Sequence, residues 1–312
     1  MQNSLQTGLV MRSTGSWYQV LQPDDSIIDC RIKGKFRLEG IKTTNPVAVG
    51  DKVGYEDMGD STGVIRLVES RKNYIIRKSV NLSRQAHIIA ANIDRAYLII
   101  TLVAPVTTTE FIDRFLVTAR AYQIPVTLVF NKIDLYSDQE LQLLDELERV
   151  YSSIGHDCVR ISALNETDVQ AFQERLVDHV SLLSGHSGVG KSTLINGVQD
   201  NVDLKTAKIS EQHQDGRHTT TFAEIVRLPY GGFIVDTPGI KGFGIIDIDK
   251  SEISGYFPEM QALLSECKFN NCNHINEPSC AVKKALKDGR LAQTRYDSYL
   301  SIYNTETEDS YR

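Results

Sequence analysis

The sequence lacks the features that mark several classes of protein. Its 312 residues contain no apolar run that approaches the ~20 residues of a membrane-spanning helix. The N-terminal segment has no basic start followed by an apolar core, so no signal peptide is predicted. The net charge of −6 argues against a surface that binds nucleic acid throughout. We therefore expect a cytoplasmic protein that makes no contact with a membrane.

Cysteine is scarce, with five residues in the chain. Cys30 and Cys158 stand alone, whereas Cys267, Cys272 and Cys280 lie close together in the sequence. An odd count with one cluster favours a metal site in a reducing compartment over a disulfide framework.

Charge is distributed unevenly along a chain of otherwise ordinary globular composition. The sequence is 41% hydrophobic and 24% charged, and it is long enough for two or three domains. Residues 1–80 hold twelve Lys or Arg against nine Asp or Glu, although the whole chain is acidic. Basic surface is therefore concentrated at the front of the chain.

Residues 1–75 predict an all-β domain. Five short strand patterns follow one another here, separated by Gly, Asp, Ser or Pro turn residues. Five short strands in so small a segment are typical of a barrel of the OB type.

The segment RIKGKFR in this domain places a cation at every second position. Side chains of a strand alternate in direction, so all of these charges share one face. The face is either a solvated outer surface or a surface that binds the backbone of RNA. The candidate RNA-binding residues are Arg31, Lys33, Lys35 and Arg37.

The pattern changes at about residue 85. Buried-type strands alternate with amphipathic helices over residues 85–245, which predicts a doubly wound parallel sheet. Residues 250–312 are mainly helical and contain the cysteine cluster. The fold class expected is therefore multidomain, with a β-barrel, a central α/β domain and a helical C-terminal domain.

The α/β domain contains a phosphate-binding loop, GHSGVGKS, from Gly185 to Ser192. An apolar strand precedes it and a helix follows, which is the context that this motif requires. Its glycines let backbone amides point at phosphates, while Lys191 should bridge the β- and γ-phosphates and Ser192 should bind Mg2+. The nucleotide-binding residues predicted here are Gly185, His186, Ser187, Gly188, Val189, Gly190, Lys191, Ser192 and Thr193.

Two further segments are expected at the phosphates. DTPG ends an apolar strand, so Asp236 can hold a water bound to Mg2+ and the Gly239 amide can contact the γ-phosphate. DGRHTTTF lies before it, where a first switch should supply a threonine hydroxyl to Mg2+. Three threonines qualify, and we favour Thr220.

The segment NKID predicts recognition of guanine. The Asp134 carboxylate can accept from the guanine N1–H and exocyclic amine, a donor pair that adenine lacks, so an ATPase or kinase is disfavoured. Asn131 should support the base pocket, and the stem of Lys132 can cover the ring. SAL ends the next strand and offers a backbone amide to the guanine carbonyl, through Ser162, Ala163 and Leu164.

These motifs stand in a rotated order. GTPases usually place the phosphate-binding loop first and NKxD later, whereas NKID and SAL come first here. Joining the usual ends and reopening the chain after the second switch, which is the segment that begins at DTPG, generates this order, and the same sheet can still form. A nucleotide-dependent movement of residues 237–245 would then pull on the C-terminal domain.

The cysteine cluster has the spacing C-x4-C-x-H-x5-C. Three thiolates and one imidazole suit a tetrahedral, structural Zn2+, with free buried thiols as the alternative. The ligands predicted are Cys267, Cys272, His274 and Cys280. One helical stretch downstream carries cations that form either a solvated face or a second RNA contact, namely Lys283, Lys284, Lys287 and Arg290.

The permuted order, the barrel in front and the cysteine cluster behind resemble the RsgA (YjeQ) family of ribosome-associated GTPases. The similarity covers essentially the whole chain. It implies a factor that binds the 30S ribosomal subunit and its 16S rRNA late in maturation and hydrolyses GTP there. We expect a monomer that binds GTP and GDP, with a GTP-gated RNA-binding or translation module as the alternative.

Two histidines are candidates for the residue that orients the attacking water. Ras-like enzymes place a water-orienting Gln directly after DxxG, but Ile240 stands there and cannot bond to water. Intrinsic hydrolysis should therefore be slow. His218 is the favoured catalytic candidate because an imidazole can orient or accept from water, and His186 is the second.

Overall fold

The computed structural model describes residues 5–32, 46–78, 86–199, 224–236 and 248–308. Within these ranges the strands are β1 (Gln6–Ser13), β2 (Tyr18–Leu21), β3 (Ile27–Ile32), β4 (Lys52–Asp57), β5 (Thr62–Val68), β6 (Tyr74–Lys78), β7 (Ala86–Ala91), β8 (Arg95–Ile100), β9 (Val126–Phe130), β10 (Asp157–Arg160), β11 (Val180–Ser184), β12 (Glu224–Arg227) and β13 (Phe233–Asp236). The helices are α1 (Thr109–Ala121), α2 (Asp138–Ser153), α3 (Glu166–Glu174), α4 (Lys191–Gln199), α5 (Lys250–Ile253), α6 (Pro258–Leu263), α7 (Ala281–Lys287) and α8 (Gln293–Glu308).

The first five strands close into a barrel. β1 pairs with β2 and β2 with β3, β3 runs parallel to β5, β5 pairs with β4, and β4 returns to β1. Exposed Asp29 and Arg31 alternate with buried Ile28 and Cys30 along β3, so one side of the strand lines the core. The predicted five-stranded barrel of the OB type is therefore confirmed.

The hairpin of β6 and β7 is an element that the sequence did not predict. The two strands pair antiparallel, and a bridge between Val49 and Ala90 attaches them to the barrel region. The Asn73 side chain adds two bonds of 2.8 Å to the backbone of Ile93. A long connection joins the strands, so the short-turn residues that usually reveal a hairpin are missing.

The chain divides into two compact units whose segments interleave along the sequence. One unit holds residues 1–96, 166–184 and 192–241, and the other holds residues 97–165, 185–191 and 242–312. In the first unit β11 and β13 are parallel, and β12 is antiparallel to β13. In the second, β9 is parallel to β10 and lies beside β8. The expected α/β domain with largely parallel strands is thus observed.

Local sequence explains where the helices near the motifs begin. The Thr108 side chain accepts from the Phe111 amide at 3.3 Å and caps α1. Ser137 and Glu140 form a capping box at the start of α2. Every residue of β9 is buried, as its continuous apolar run indicates.

The C-terminal residues are mainly helical, as predicted, but the basic stretch forms two helices instead of one. Gly289 has φ +70°, a left-handed conformation that ends a helix. α7 therefore stops at Lys287, and Arg290 lies between α7 and α8. No helix in the described parts of the chain is both long and apolar enough to cross a membrane.

Candidate functional site

The phosphate-binding loop follows β11 in a conformation that requires its glycines. Gly185, Gly188 and Gly190 have φ values of +146°, +86° and +95°. A Cβ at Gly185 would lie 2.4 Å from the Ile99 carbonyl oxygen, and one at Gly190 would lie 2.3 Å from Asn131 Nδ2. Glycine fits such positions without strain, and the loop can therefore take the curved form in which backbone amides line a cradle.

Asn131 joins three of the predicted motifs. Its side chain is fully buried, donates from Nδ2 to the Val189 carbonyl at 2.8 Å, and accepts at Oδ1 from the Ala163 amide at 2.9 Å. NKID, the phosphate-binding loop and SAL therefore meet at a single amide. The Tyr136 hydroxyl donates to the Asn131 carbonyl at 2.9 Å and so helps to fix the backbone of NKID.

Lys132 also bonds to the phosphate-binding loop. The residue has φ +63°, a left-handed conformation uncommon outside glycine, and its Nζ donates to the Gly188 carbonyl at 2.7 Å. The same Nζ donates to the Ala104 carbonyl at 2.6 Å. Asp134 follows in an exposed single turn, so its carboxylate is accessible to a ligand.

The last residue of the SAL segment is exposed to solvent. Leu164 is 79% exposed, and its amide lies 3.3 Å from Ser162 Oγ. The Ala163 amide already donates to Asn131, so these amides are organised by the side chains of Asn131 and Ser162. The carbonyl of a base would compete with those two side-chain oxygens for the amide N–H groups of Ala163 and Leu164.

Lys191 lies inside the phosphate-binding loop. Its Nζ donates to the carbonyls of Gly185 at 2.7 Å and His186 at 2.5 Å. Burial lowers the pKa of this ammonium group. Ser192 and Thr193 follow in the first turn of α4 and are exposed, so their hydroxyls are accessible.

His186 makes a contact that sequence reasoning did not find. Its ring lies 3.6 Å from the Phe111 ring, centroid to centroid, at a tilt of 32°. Burial, and then the charge of Lys191, lower the pKa of His186, so the imidazole is neutral near pH 7. No sequence signal could have paired two residues that lie so far apart in the chain.

The strand pairing of the first compact unit bears on Asp236, the first residue of DTPG. β11 and β13 are parallel, with Leu182 opposite Val235, so both strands end at the same edge of the sheet. β11 leads into the phosphate-binding loop there, and β13 ends at Asp236. The other predicted residues of the two switches, His218, Thr220 and Gly239, lie outside the described residues, as do Lys33, Lys35 and Arg37.

The cysteine cluster forms a compact donor set. One donor atom from each of Cys267, Cys272, His274 and Cys280 lies within 4.8 Å of the others, and all four residues are buried. His274 Nδ1 lies 3.3 Å from Cys280 Sγ and 3.7 Å from Cys267 Sγ. Tetrahedral coordination of Zn2+ with ordinary bond lengths separates sulfur and nitrogen by about 3.6 Å, so the cluster fits that geometry.

The chemistry of the cluster also favours a cation. Burial raises the pKa of the Cys272 thiol to about 12, so buried thiolates here need a positive ion. The amides of Ala281 and Lys283 donate to Cys267 Sγ at 3.3 Å and Cys280 Sγ at 3.5 Å, as they would to metal-bound thiolates. The described structure thus contains a four-ligand site able to hold a metal ion.

Neighbouring side chains hold the cluster in shape. Tyr296 donates to the His274 carbonyl at 2.7 Å, which orients the loop that carries this ligand. The Glu277 carboxylate accepts from the amides of Asn273 at 2.8 Å and Ile275 at 2.9 Å. Such supporting contacts tune metal affinity, although the spacing of the ligands does not reveal them.

The basic residues of the segment 283–290 do not act as one group. Lys283 Nζ donates to the Ile275 carbonyl at 3.0 Å and so supports the cysteine cluster. Lys284, Lys287 and Arg290 are exposed, and Arg290 lies 3.6 Å from the Asp288 carboxylate. Only these three remain available for a ligand in solution.

Comparison with known proteins identifies two family regions in the chain. Residues 7–65 match the RsgA N-terminal domain, and residues 68–246 match the RsgA GTPase. The chain is 54% identical to a protein of Christiangramia forsetii named small ribosomal subunit biogenesis GTPase RsgA, over 98% of both chains. A protein of the same name from Bacteroides fragilis is 51% identical, also over 98% of both.

Two solved structures are similar over almost their full length. YjeQ from Thermotoga maritima superposes with a TM-score of 0.79 at 33% identity, covering 96% of this chain and 98% of that one. YloQ, described as a circularly permuted GTPase, superposes with a TM-score of 0.75 at 29% identity, covering 98% and 96%.

Proposed function

The chain belongs to the RsgA GTPase family, and we propose that it hydrolyses GTP in late maturation of the 30S ribosomal subunit. The observation that carries this proposal is the pair of bonds made by Asn131, which unite the phosphate-binding loop with SAL despite the rotated motif order. The relatives' names supply the ribosomal role. Hydrolysis would accompany the checking of the subunit or release of the factor.

One guanine nucleotide would lie across this site. The Asp134 carboxylate would read the N1–H and exocyclic amine, while the Lys132 stem covers the ring and Asn131 holds the base pocket. The Lys191 ammonium would exchange its carbonyl partners for β- and γ-phosphate oxygens, which are stronger acceptors. The other residues in contact would be Ser162, Ala163, Leu164, the loop from Gly185 to Gly190, and Thr193.

The donors expected for magnesium are oxygens, which that ion prefers. Ser192 and Thr220 would hold it directly and Asp236 through water, while the Gly239 amide contacts the γ-phosphate. When bound, Mg2+ neutralises charge on the phosphate oxygens. The exposure of Ser192 at the start of α4 is consistent with this role.

His218 would orient the attacking water or accept its proton, and His186 is the second candidate for this role. The Phe111 stack holds the His186 ring in place and its lowered pKa keeps a nitrogen lone pair available. His218→Ala should retain GTP affinity and lose turnover with small subunits, whereas His186→Gln should retain turnover. Unchanged turnover in His218→Ala would clear that residue and leave His186 as the candidate.

The metal of the cysteine cluster would be one structural Zn2+. Three sulfurs and one nitrogen leave no coordination position for substrate, and the donor separations suit this ion. It would hold together a helical segment with a small core of its own, in the region 250–312. The barrel, residues 1–75, and the GTPase region, residues 85–245, complete the proposed domain organisation.

RNA contact would come from the barrel through the basic segment 31–37. Arg31 is exposed on the outer side of β3, which agrees with such a role. Lys33, Lys35 and Arg37 continue the same alternation in the sequence. We expect the protein to act as a cytoplasmic monomer on 16S rRNA, and light scattering of the free protein measures its oligomeric state.

The decisive experiment compares turnover with and without purified 30S subunits. The proposal expects strong stimulation by 30S and none by 50S subunits. Cosedimentation with 30S should be stronger with a non-hydrolysable GTP analogue than with GDP. Nucleotide-dependent binding without stimulated hydrolysis would favour the alternative, a GTP-gated RNA-binding module.

A further inference from the structure

Trp17 lies at the turn between β1 and β2 and is the only tryptophan in the chain. The Thr14 amide donates to the Trp17 carbonyl at 2.9 Å and closes the turn, in which Gly15 has φ +88°. The backbone of Trp17 is therefore held in place, yet 41% of the residue is exposed. A large aromatic ring held at a surface in this way is suited to contact a partner.

Arg31 lies directly beside this ring. Tyr18 pairs with Cys30 between β2 and β3, so Trp17 and Arg31 are the next cross-strand neighbours in the same register. The Arg31 guanidinium carbon lies over the Trp17 ring, 5.9 Å from its centroid. This cation–π contact orients both side chains on the outer side of the barrel.

We propose that Trp17 and Arg31 form a binding site for one unpaired nucleotide of RNA. The base would stack on the indole, and the guanidinium would contact the adjoining phosphate. Single-stranded RNA is recognised through such combinations of aromatic ring and cation on OB-type barrels. A duplex hides the faces of its bases, so it cannot use the ring. The inference rests on the proposed ribosomal function and specifies what the barrel recognises.

One acidic neighbour limits the strength of this site. Hydrogen bonds from Thr62 lower the pKa of Asp60, and the nearby positive charge of Arg31 adds to that effect. Asp60 is thus an ionised, exposed carboxylate close to the guanidinium. It should repel a phosphate there, so Asp60→Asn should increase affinity for single-stranded RNA by about twofold, an effect that salt screens.

Because the chain has a single tryptophan, its fluorescence reports on this site alone. The full-length protein is titrated with a single-stranded oligoribonucleotide and with a blunt duplex of the same sequence. Stacking should quench the emission in a saturable manner with the single strand and leave it unchanged with the duplex. Equal quenching by both, or none by either, would overturn the proposal.

Variants separate stacking from charge, with affinity measured by anisotropy of labelled RNA. Trp17→Leu should weaken binding of the single strand by about 5- to 100-fold, whereas Trp17→Phe keeps a ring and most of the affinity. Arg31→Lys should bind more tightly than Arg31→Gln because it keeps the charge. Leu67→Ala, which truncates another exposed side chain of the barrel, should bind as the wild type does.

Thermal unfolding of each variant checks that the barrel remains folded. If Trp17→Leu has the wild-type melting temperature and wild-type RNA affinity, the ring does not bind RNA. If 30S subunits quench Trp17 while oligonucleotides do not, the partner is a ribosomal protein and the proposal is wrong. Stimulation of wild-type GTP turnover by 30S subunits tests the proposed function separately, because it does not depend on which barrel residue makes contact.

Discussion

Arg295 Nη1 donates to Asp113 Oδ1 at 2.5 Å, and this bond joins the last helix, α8, to α1. Their side chains are 2% and 0% exposed, so the ion pair is fully removed from water. Glu259 accepts from Arg295 Nε at 2.7 Å and supplies a second carboxylate. The guanidinium also lies 4.6 Å from the centre of the Phe257 ring.

The two helices that this pair joins each contact a predicted site of the second compact unit. α1 carries Phe111, which stacks on His186 of the phosphate-binding loop. α8 carries Tyr296, which holds the backbone of the metal ligand His274. A series of side-chain contacts within this unit thus connects the phosphate-binding loop with the cysteine cluster; Phe111 and His186 are half-buried, whereas Asp113, Arg295 and Tyr296 are buried.

Removal of one partner of this buried pair should be strongly destabilising. Asp113→Ala leaves a desolvated guanidinium with one carboxylate instead of two, which should lower the free energy of unfolding by about 3–5 kcal/mol. Denaturant titration followed by circular dichroism measures the change. Glu110→Ala is the matched control at the same helix pair, because Glu110 is half-exposed where it contacts Arg114 and Ser301. It should cost less than about 1 kcal/mol, and equal costs would contradict the argument.

Stability should fall in mild acid because of His156. Burial, followed by the charge of Arg295, lowers the pKa of His156 to about 4. The unfolded chain binds a proton there near pH 6.5, so it takes up more protons than the folded state as the pH falls from about 7 to 4. The free energy of unfolding should drop by about 1–2 kcal/mol between pH 7 and 5 from this residue. His156→Gln should reduce that drop. If the free energy of unfolding fell equally with pH in the variant and the wild type, the argument from a lowered pKa of His156 would be wrong.

Exchange of Asp134 for Asn should change which base is bound. Asn offers one acceptor and one donor, which suit the N1–H and C2 carbonyl of xanthine, whereas guanine presents two donors. Asp134→Asn should weaken GDP by about 10- to 100-fold and strengthen xanthosine diphosphate, measured with fluorescent analogues. Asp138→Asn removes the same charge at the start of α2 and should leave both affinities unchanged. Loss of affinity without a change of base preference would argue against base reading by Asp134.

The cysteine cluster should hold one zinc ion per chain, as measured by elemental analysis of protein purified without added metal. Cys272→Ser removes a buried ligand and should release the metal and lower the melting temperature. Cys158→Ser changes a cysteine of β10 that lies outside the cluster, and it should keep full metal content. Iron in place of zinc, or full metal content in Cys272→Ser, would contradict the assignment.

Much of the fold could be predicted because its signals are local. Strands β2 and β3 of the barrel alternate between inside and outside, and β9 is a largely apolar run, so each of these patterns reveals its own structure. The glycines of the phosphate-binding loop are also a local signal, because their positive φ angles are unfavourable for other residues. The β6–β7 hairpin escaped prediction because its long connection lacks the short-turn residues that mark a hairpin. The break at Gly289 was missed although the Asp-Gly pair at 288–289 is a local turn signal.

The sequence alone was sufficient to predict the nucleotide motifs, their rotated order and the four candidate metal donors, since each depends on residue type and spacing along the chain. Only the tertiary structure decided which side chains join these parts. Asn131 meets Val189 across 58 positions, and Arg295 meets Asp113 across 182. Such contacts arise because packing brings distant segments together and buried polar groups must then find hydrogen-bond partners. The spacing of residues along the chain does not reveal which partners meet.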